Sequence, residues 1–117
     1  MNHSDDLSHL ATREPPAPVS GKAFVYILGC SDGGVYVGTA TDVAKRLTEH
    51  GGPNGAKFSR DHPGGRLIYV EGPLSITLAL GRERQLKRWS RAKKLALIRN
   101  QTAVLKKLSQ SREMHRD

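Results

Sequence analysis

Ala23-Phe24-Val25-Tyr26-Ile27-Leu28-Gly29-Cys30-Ser31-Asp32-Gly33-Gly34-Val35-Tyr36-Val37-Gly38 is the stretch that decides the reading of this chain. Two runs rich in β-branched and aromatic residues flank Asp32-Gly33-Gly34, which predicts the two strands of a β-hairpin. Loop length then sets where the tyrosines point. A three-residue loop from Asp32 to Gly34, with one glycine left-handed, pairs Ser31 with Val35 and puts Tyr26 and Tyr36 on one face. A two-residue loop puts them on opposite faces, because strand side chains alternate.

Downstream, the run Thr41-Asp42-Val43-Ala44-Lys45-Arg46-Leu47-Thr48-Glu49-His50-Gly51-Gly52 predicts a helix of about nine residues, capped by Thr41 or Asp42 and ended by the glycine pair. Val43 and Leu47 form its inward stripe. Arg46 and His50, one turn apart, lie along the border of that stripe, beside the hairpin. The plainer reading of the same helix is an exposed flank with a Lys45–Glu49 surface pair.

Around this centre the chain divides by composition. Residues 1–21 are polar and acidic and end in Pro15-Pro16-Ala17-Pro18, which predicts a disordered leader that can be deleted with little harm to the fold. Residues 51–65 hold seven Gly or Pro, a loop that carries Lys57 and Arg60. Arg66 to Glu71 reads as a third strand. Ser75 or Thr77 then caps a helix with Leu78, Ala79, Leu80, Leu86 and Trp89 on its apolar side, and another helix covers Ala92 to Arg99. The expected domain spans 22–100, and 101–117 form a basic tail in which Gln101 to Gln110 is a terminal helix.

Glu83 stands out on the first of these helices. It lies three residues after Leu80 and three before Leu86, so its carboxylate projects from the apolar side among Arg82, Arg84, Lys87 and Arg88. It is the only acid between Gly72 and Arg112. An i, i+4 surface pair with Lys87, worth about 0.3–0.5 kcal/mol, is the bland explanation. Carboxylates set against an apolar face are costly unless they bind something.

Charge points to a phosphate-rich partner. Of 117 residues, 19 are Lys or Arg against 11 Asp or Glu, a formal net charge of +8. Arg13 is the one base among residues 1–20, so the surplus belongs to the rest of the chain. Such a balance favours nucleic acid without identifying it. The single cysteine, Cys30, excludes an internal disulfide and a cysteine metal cluster. No run approaches the ~18 apolar residues that span a bilayer, and the cytoplasm is the expected location.

The order Tyr26, Tyr36, Arg46, His50, Glu83 resembles the GIY-YIG nuclease domain, in which two strand motifs each carry a tyrosine, the next helix an arginine and often a histidine, and a later helix a glutamate. Val35-Tyr36-Val37-Gly38 matches the second motif well, whereas Phe24-Val25-Tyr26 keeps only the tyrosine of the first. Gly55 to Arg60 and Arg66 to Glu71 resemble segments of small stand-alone bacterial members, which are similar to the amino-terminal catalytic domain of excinuclease C. The resemblance spans about Ala23 to Asn100 and implies an α/β fold, a three-stranded, largely antiparallel sheet flanked by helices. It further implies a metal-dependent endonuclease acting on nucleic acid, DNA ahead of RNA, in DNA repair or processing.

On that reading Glu83 holds Mg²⁺ or Mn²⁺, Tyr26 activates water, Tyr36 positions, Arg46 stabilises the transition state and His50 takes the tyrosine's proton. Phosphodiester hydrolysis adds charge to nonbridging oxygens and expels an alkoxide, which suits a divalent ion and a guanidinium. Lys57, Arg60, Arg82, Lys87, Lys93 and Lys94 are the expected contacts to the phosphate backbone. Asn100 resembles a late asparagine of some members and equally suits a helix end. A monomer is the default, and a noncatalytic nucleic-acid-binding module on the same scaffold is the competing class.

Overall fold

A computed structural model of the chain describes residues 7–49 and 65–100. Within the first of two compact units, Met1–Lys87, three strands form one antiparallel sheet: β1 (Lys22–Gly29), β2 (Val35–Ala40) and β3 (Arg66–Ser75), in the order β2-β1-β3. Among the described residues, helices α1 (Val43–Thr48) and α2 (Ile76–Lys87) belong to this unit, and α3 (Arg91–Ile98) belongs to the second unit, Arg88–Asp117. His50, Lys57, Arg60 and the expected terminal helix lie outside the described residues.

The hairpin forms one step earlier than expected. Gly29 pairs with Val35, and Cys30 with Gly34 through the Cys30 N–H donated to the Gly34 carbonyl at 2.9 Å. The loop is therefore Ser31-Asp32-Gly33, with Gly33 left-handed at φ 86° and the Asp32 carboxylate accepting the Gly34 N–H at 2.8 Å. That local hydrogen bond lets Asp32 sit inside the turn rather than start it. The shift moves both ends together, so parity survives: Tyr26 faces Gly38, Leu28 faces Tyr36, and both tyrosines share a face.

Phe24, Tyr26 and Leu28 on that face pack with Ala40, Val43 and Leu67 in a core that Leu47 and Val70 border. Val43 is fully buried, which contributes about 1.5–3 kcal/mol. Asp42 caps α1 by accepting the Lys45 N–H at 3.0 Å, and the helix closes at Glu49, sooner than the glycine pair implied. Glu49 pairs with Arg46, Nε to Oε1 3.6 Å, and not with Lys45.

The opposite face, with Val25 and Ile27, receives α2, which lies across all three strands. Ser75 caps it by accepting the Leu78 N–H at 3.2 Å. Its inward stripe is Ala79, Glu83 and Leu86, whereas Leu78 and Leu80 are 64% and 48% exposed. The run of leucines misplaces the apolar side by about one residue, because small Ala79 is what the sheet admits. β3 runs past Glu71 to Ser75 because Gly72 has no Cβ; one built there would lie 2.9 Å from Phe24 Cδ1 and 3.0 Å from the Ala23 carbonyl.

Residues 7–13 correct the expectation of a loose leader. Leu7 and Leu10 are buried, and Leu7 reaches the Ile68 side chain over Gly29. From β3, the Arg66 guanidinium donates to the carbonyls of Leu7 and Leu10 and to the Thr12 hydroxyl, and the Arg13 N–H donates to the Leu67 carbonyl. The partner that fastens the segment lies more than fifty residues away, out of reach of any local composition.

In the second unit Ser90 caps α3 by accepting the Lys93 N–H at 3.1 Å, and Asn100 ends it in the left-handed region at φ 56°. The Lys93 ammonium lies 4.1 Å from the Trp89 ring centroid, and Lys93 is 6% exposed, so its charge is held by an aromatic face. Burial also lowers the pKa of Lys94. Among the described residues, no helix is long and apolar enough to cross a membrane.

Candidate functional site

Among the described residues β2 is an edge strand left open, and Tyr26, Arg46 and Glu83 converge on it at Gly38-Thr39. Tyr26 approaches from the α1 face. Its ring lies over Gly38: a Cβ at that glycine would be 2.6 Å from both Cζ and the hydroxyl oxygen of Tyr26. Gly38 is thus required by the tyrosine across from it, which explains the glycine after Tyr36-Val37 in physical terms. Tyr26 is 6% exposed, and no described residue hydrogen-bonds its hydroxyl. Tyr36 stands on the same face, 36% exposed, with its ring over Gly34.

Glu83 approaches from the α2 face. Thr39 pairs with Val25, so its side chain has the parity that faces α2, and its hydroxyl donates to Glu83 Oε1 at 2.9 Å. The second oxygen, Oε2, lies 3.0 Å from Lys87 Nζ; the Glu83 side chain is 20% exposed and the Lys87 side chain 58%. Arg46 comes from α1 at the strand edge, with Nη1 3.4 Å from the Thr39 carbonyl. A shallow cavity of about 160 Å³ opens beside it, lined by Ala40, Thr41, Asp42, Lys45, Arg46 and Glu49.

Thr39 is the residue that sequence reasoning missed. It binds Glu83 through its hydroxyl and Arg46 through its carbonyl, joining the two charged groups of the site. Its signal was available: it directly follows Gly38, on the strand parity opposite to the tyrosines.

Arg82, expected at the phosphate backbone, points the other way. Its Nε lies 2.8 Å from Glu71 Oε2 and its Nη2 3.2 Å from Oε1, while Nη1 donates to Gln85 at 2.8 Å. The Tyr69 hydroxyl also donates to Glu71 Oε1. Burial, reinforced by the hydrogen bond and charge of Glu71, pushes the Tyr69 hydroxyl up to about 12, against the opposing effect of Arg82. Successive residues of α2 thus grip opposite edges of the sheet, Arg82 at β3 and Glu83 at β2.

Glu83 is the carboxylate that reaches Thr39, and among the described residues no three His, Cys, Asp or Glu side chains gather to hold a metal ion. The donor set suits a hard ion: one carboxylate, oriented by a hydroxyl through Oε1 and tied through Oε2 only to an exposed ammonium.

Residues 22–96 match the GIY-YIG catalytic domain. A UPF0213 protein of Syntrophus aciditrophicus is 43% identical over 79 residues, 67% of this chain and 91% of that protein. Another, from Staphylococcus saprophyticus, is 40% identical over 77 residues, 66% of this chain and 94% of its own. The solution NMR structure of a UPF0213 protein from Bacillus halodurans, 38% identical, covers 66% of this chain and 82% of that one with a TM-score of 0.44. With residues 22–96 matched to that domain and a relative 43% identical over 67% of its length, the chain belongs to the GIY-YIG catalytic-domain family.

Proposed function

We propose that the chain is an endonuclease that hydrolyses phosphodiester bonds in nucleic acid with Mg²⁺ or Mn²⁺, DNA being the expected substrate and DNA repair or processing the expected setting. The observation that carries this reading is the meeting of Tyr26, Arg46 and Glu83 around Gly38-Thr39 on an open strand edge. Family membership makes nuclease chemistry the coarse expectation, and the geometry supports these roles.

Tyr26 directs a hydroxyl that is unpartnered among the described residues across Gly38, where, once its own proton has passed to His50, the phenolate oxygen can take one from an attacking water. Arg46 is half-exposed and, among the described residues, held by long contacts, 3.4 Å to Thr39 and 3.6 Å to Glu49, so it can turn toward a phosphate without breaking a strong pair with any of them. Tyr36, at the rim on the Tyr26 face, positions substrate. Glu83 would hold the divalent ion, which when bound neutralises charge on the nonbridging and leaving oxygens. With one carboxylate, most of the ion's coordination would come from water and phosphate, as suits Mg²⁺.

His50 is the proposed acceptor of the tyrosine proton, and Lys57, Arg60 and Lys94 the proposed backbone contacts. A duplex would be held by charge, so affinity should fall with salt. The competing reading, binding without turnover, rests on the loose first motif, Phe24-Val25-Tyr26. Incubating the protein with supercoiled plasmid, branched DNA and RNA, with Mg²⁺, Mn²⁺ or EDTA, separates the two. Metal-dependent cleavage that Tyr26→Phe removes is the expected result, and binding with no cleavage of any substrate would overturn it.

A further inference from the structure

Glu83 Oε2 already has a cation beside it. The carboxylate sits on the inward stripe of α2 between Ala79 and Leu86, 20% exposed, where an uncompensated charge is unfavourable. Thr39 supplies one hydrogen bond to Oε1 and no charge. Lys87, one turn on, supplies the charge at 3.0 Å from a side chain that is 58% exposed and so is free to leave. The neighbouring cation Arg82 is committed to Glu71.

We infer that Lys87 is a displaceable counter-cation of Glu83. It neutralises the carboxylate before a divalent ion arrives, competes with that ion for Oε2, and on release presents its ammonium to the phosphate backbone. This rests on the proposed metal role of Glu83 and assigns a second, opposing role to a residue that the sequence placed at the nucleic acid or in a plain surface pair with Glu83. The site then binds metal weakly without substrate and more tightly once phosphate oxygens draw Lys87 away.

The test is direct Mn²⁺ binding, read by the EPR signal of free Mn²⁺ without nucleic acid, on the full chain and its Lys87→Met and Arg84→Met variants. Arg84 is exposed on the same helix, and its substitution changes net charge equally. Lys87→Met should bind Mn²⁺ at least about threefold tighter than the parent, since it removes both an ion pair and a nearby like charge. Arg84→Met should move affinity less, and Glu83→Gln should abolish the difference. A labelled duplex added with Mn²⁺ should tighten Mn²⁺ binding more in the parent than in Lys87→Met. Equal Mn²⁺ affinity in the parent and Lys87→Met overturns this inference and leaves the metal reading standing. Absence of Mn²⁺ binding in all of them overturns both.

Discussion

Arg82 and Glu83 are neighbours in sequence, yet the two sheet edges they reach are built on opposite terms. At the β3 edge every charge is answered: Glu71 receives Tyr69 and Arg82, and Arg82 also reaches Gln85. At the β2 edge charges are left available, with Arg46 on long contacts, Glu83 backed by a hydroxyl and an exposed lysine, and the Tyr26 hydroxyl unpartnered among the described residues. A closed network fixes geometry, whereas an open one can exchange its partners for a ligand. Arg82 on Glu71 and Glu83 on Thr39 each tie α2 to one edge of the sheet.

The contrast predicts that substitutions at the open edge lower activity and those at the closed edge lower stability. The largest effect should be Glu83→Gln, which takes cleavage to background while leaving duplex affinity intact. Tyr26→Phe and Arg46→Ala should each slow single-turnover cleavage at least about a hundredfold, about 2.7 kcal/mol of transition-state stabilisation, with melting midpoints little changed. A loss confined to binding would make them scaffold.

Away from both edges, Leu7→Ala with Leu10→Ala should lower unfolding free energy by about 2–4 kcal/mol, measured in urea, because two buried side chains are truncated. At the closed edge, Glu71→Gln should lower it by about 1–2 kcal/mol through loss of the Arg82 charge pair.

The smallest effect concerns Cys30. Burial, with the Asp32 charge adding to it, raises its thiol from 9.0 to about 11. The folded state therefore keeps its proton where the unfolded chain releases it. The resulting stability is present below pH 9 and is lost as pH rises through about 11. Iodoacetamide at pH 8 should label Cys30 far more slowly in the native protein than in urea.

What the sequence revealed follows from the range of the interactions involved. Hairpin parity and the Asp42 cap, set by residues within a few positions of one another, were narrowed to two alternatives each, and the projection of Glu83 from the sheet side of α2 was legible outright. The loop moved by one residue because Asp32 bonds to Gly34 inside the turn, a choice the glycine pair left open. Leu78 and Leu80 read as inward because leucine outranks alanine in hydrophobicity, while the sheet admits the smaller Ala79. Three features depended on distant partners: the docking of Leu7 and Leu10 under Arg66, the pairing of Arg82 with Glu71, and Thr39 as the link between Arg46 and Glu83. Lys93 was expected at the phosphate backbone because the stacking of its ammonium on Trp89 is a matter of side-chain geometry.

The most direct test is to measure single-turnover plasmid cleavage and melting midpoint together for Glu83→Gln and Glu71→Gln. A crossed result is expected: Glu83→Gln keeps the parental midpoint and loses cleavage, and Glu71→Gln melts earlier while still cleaving at temperatures where it is folded. Cleavage by Glu83→Gln at the parental rate would contradict it.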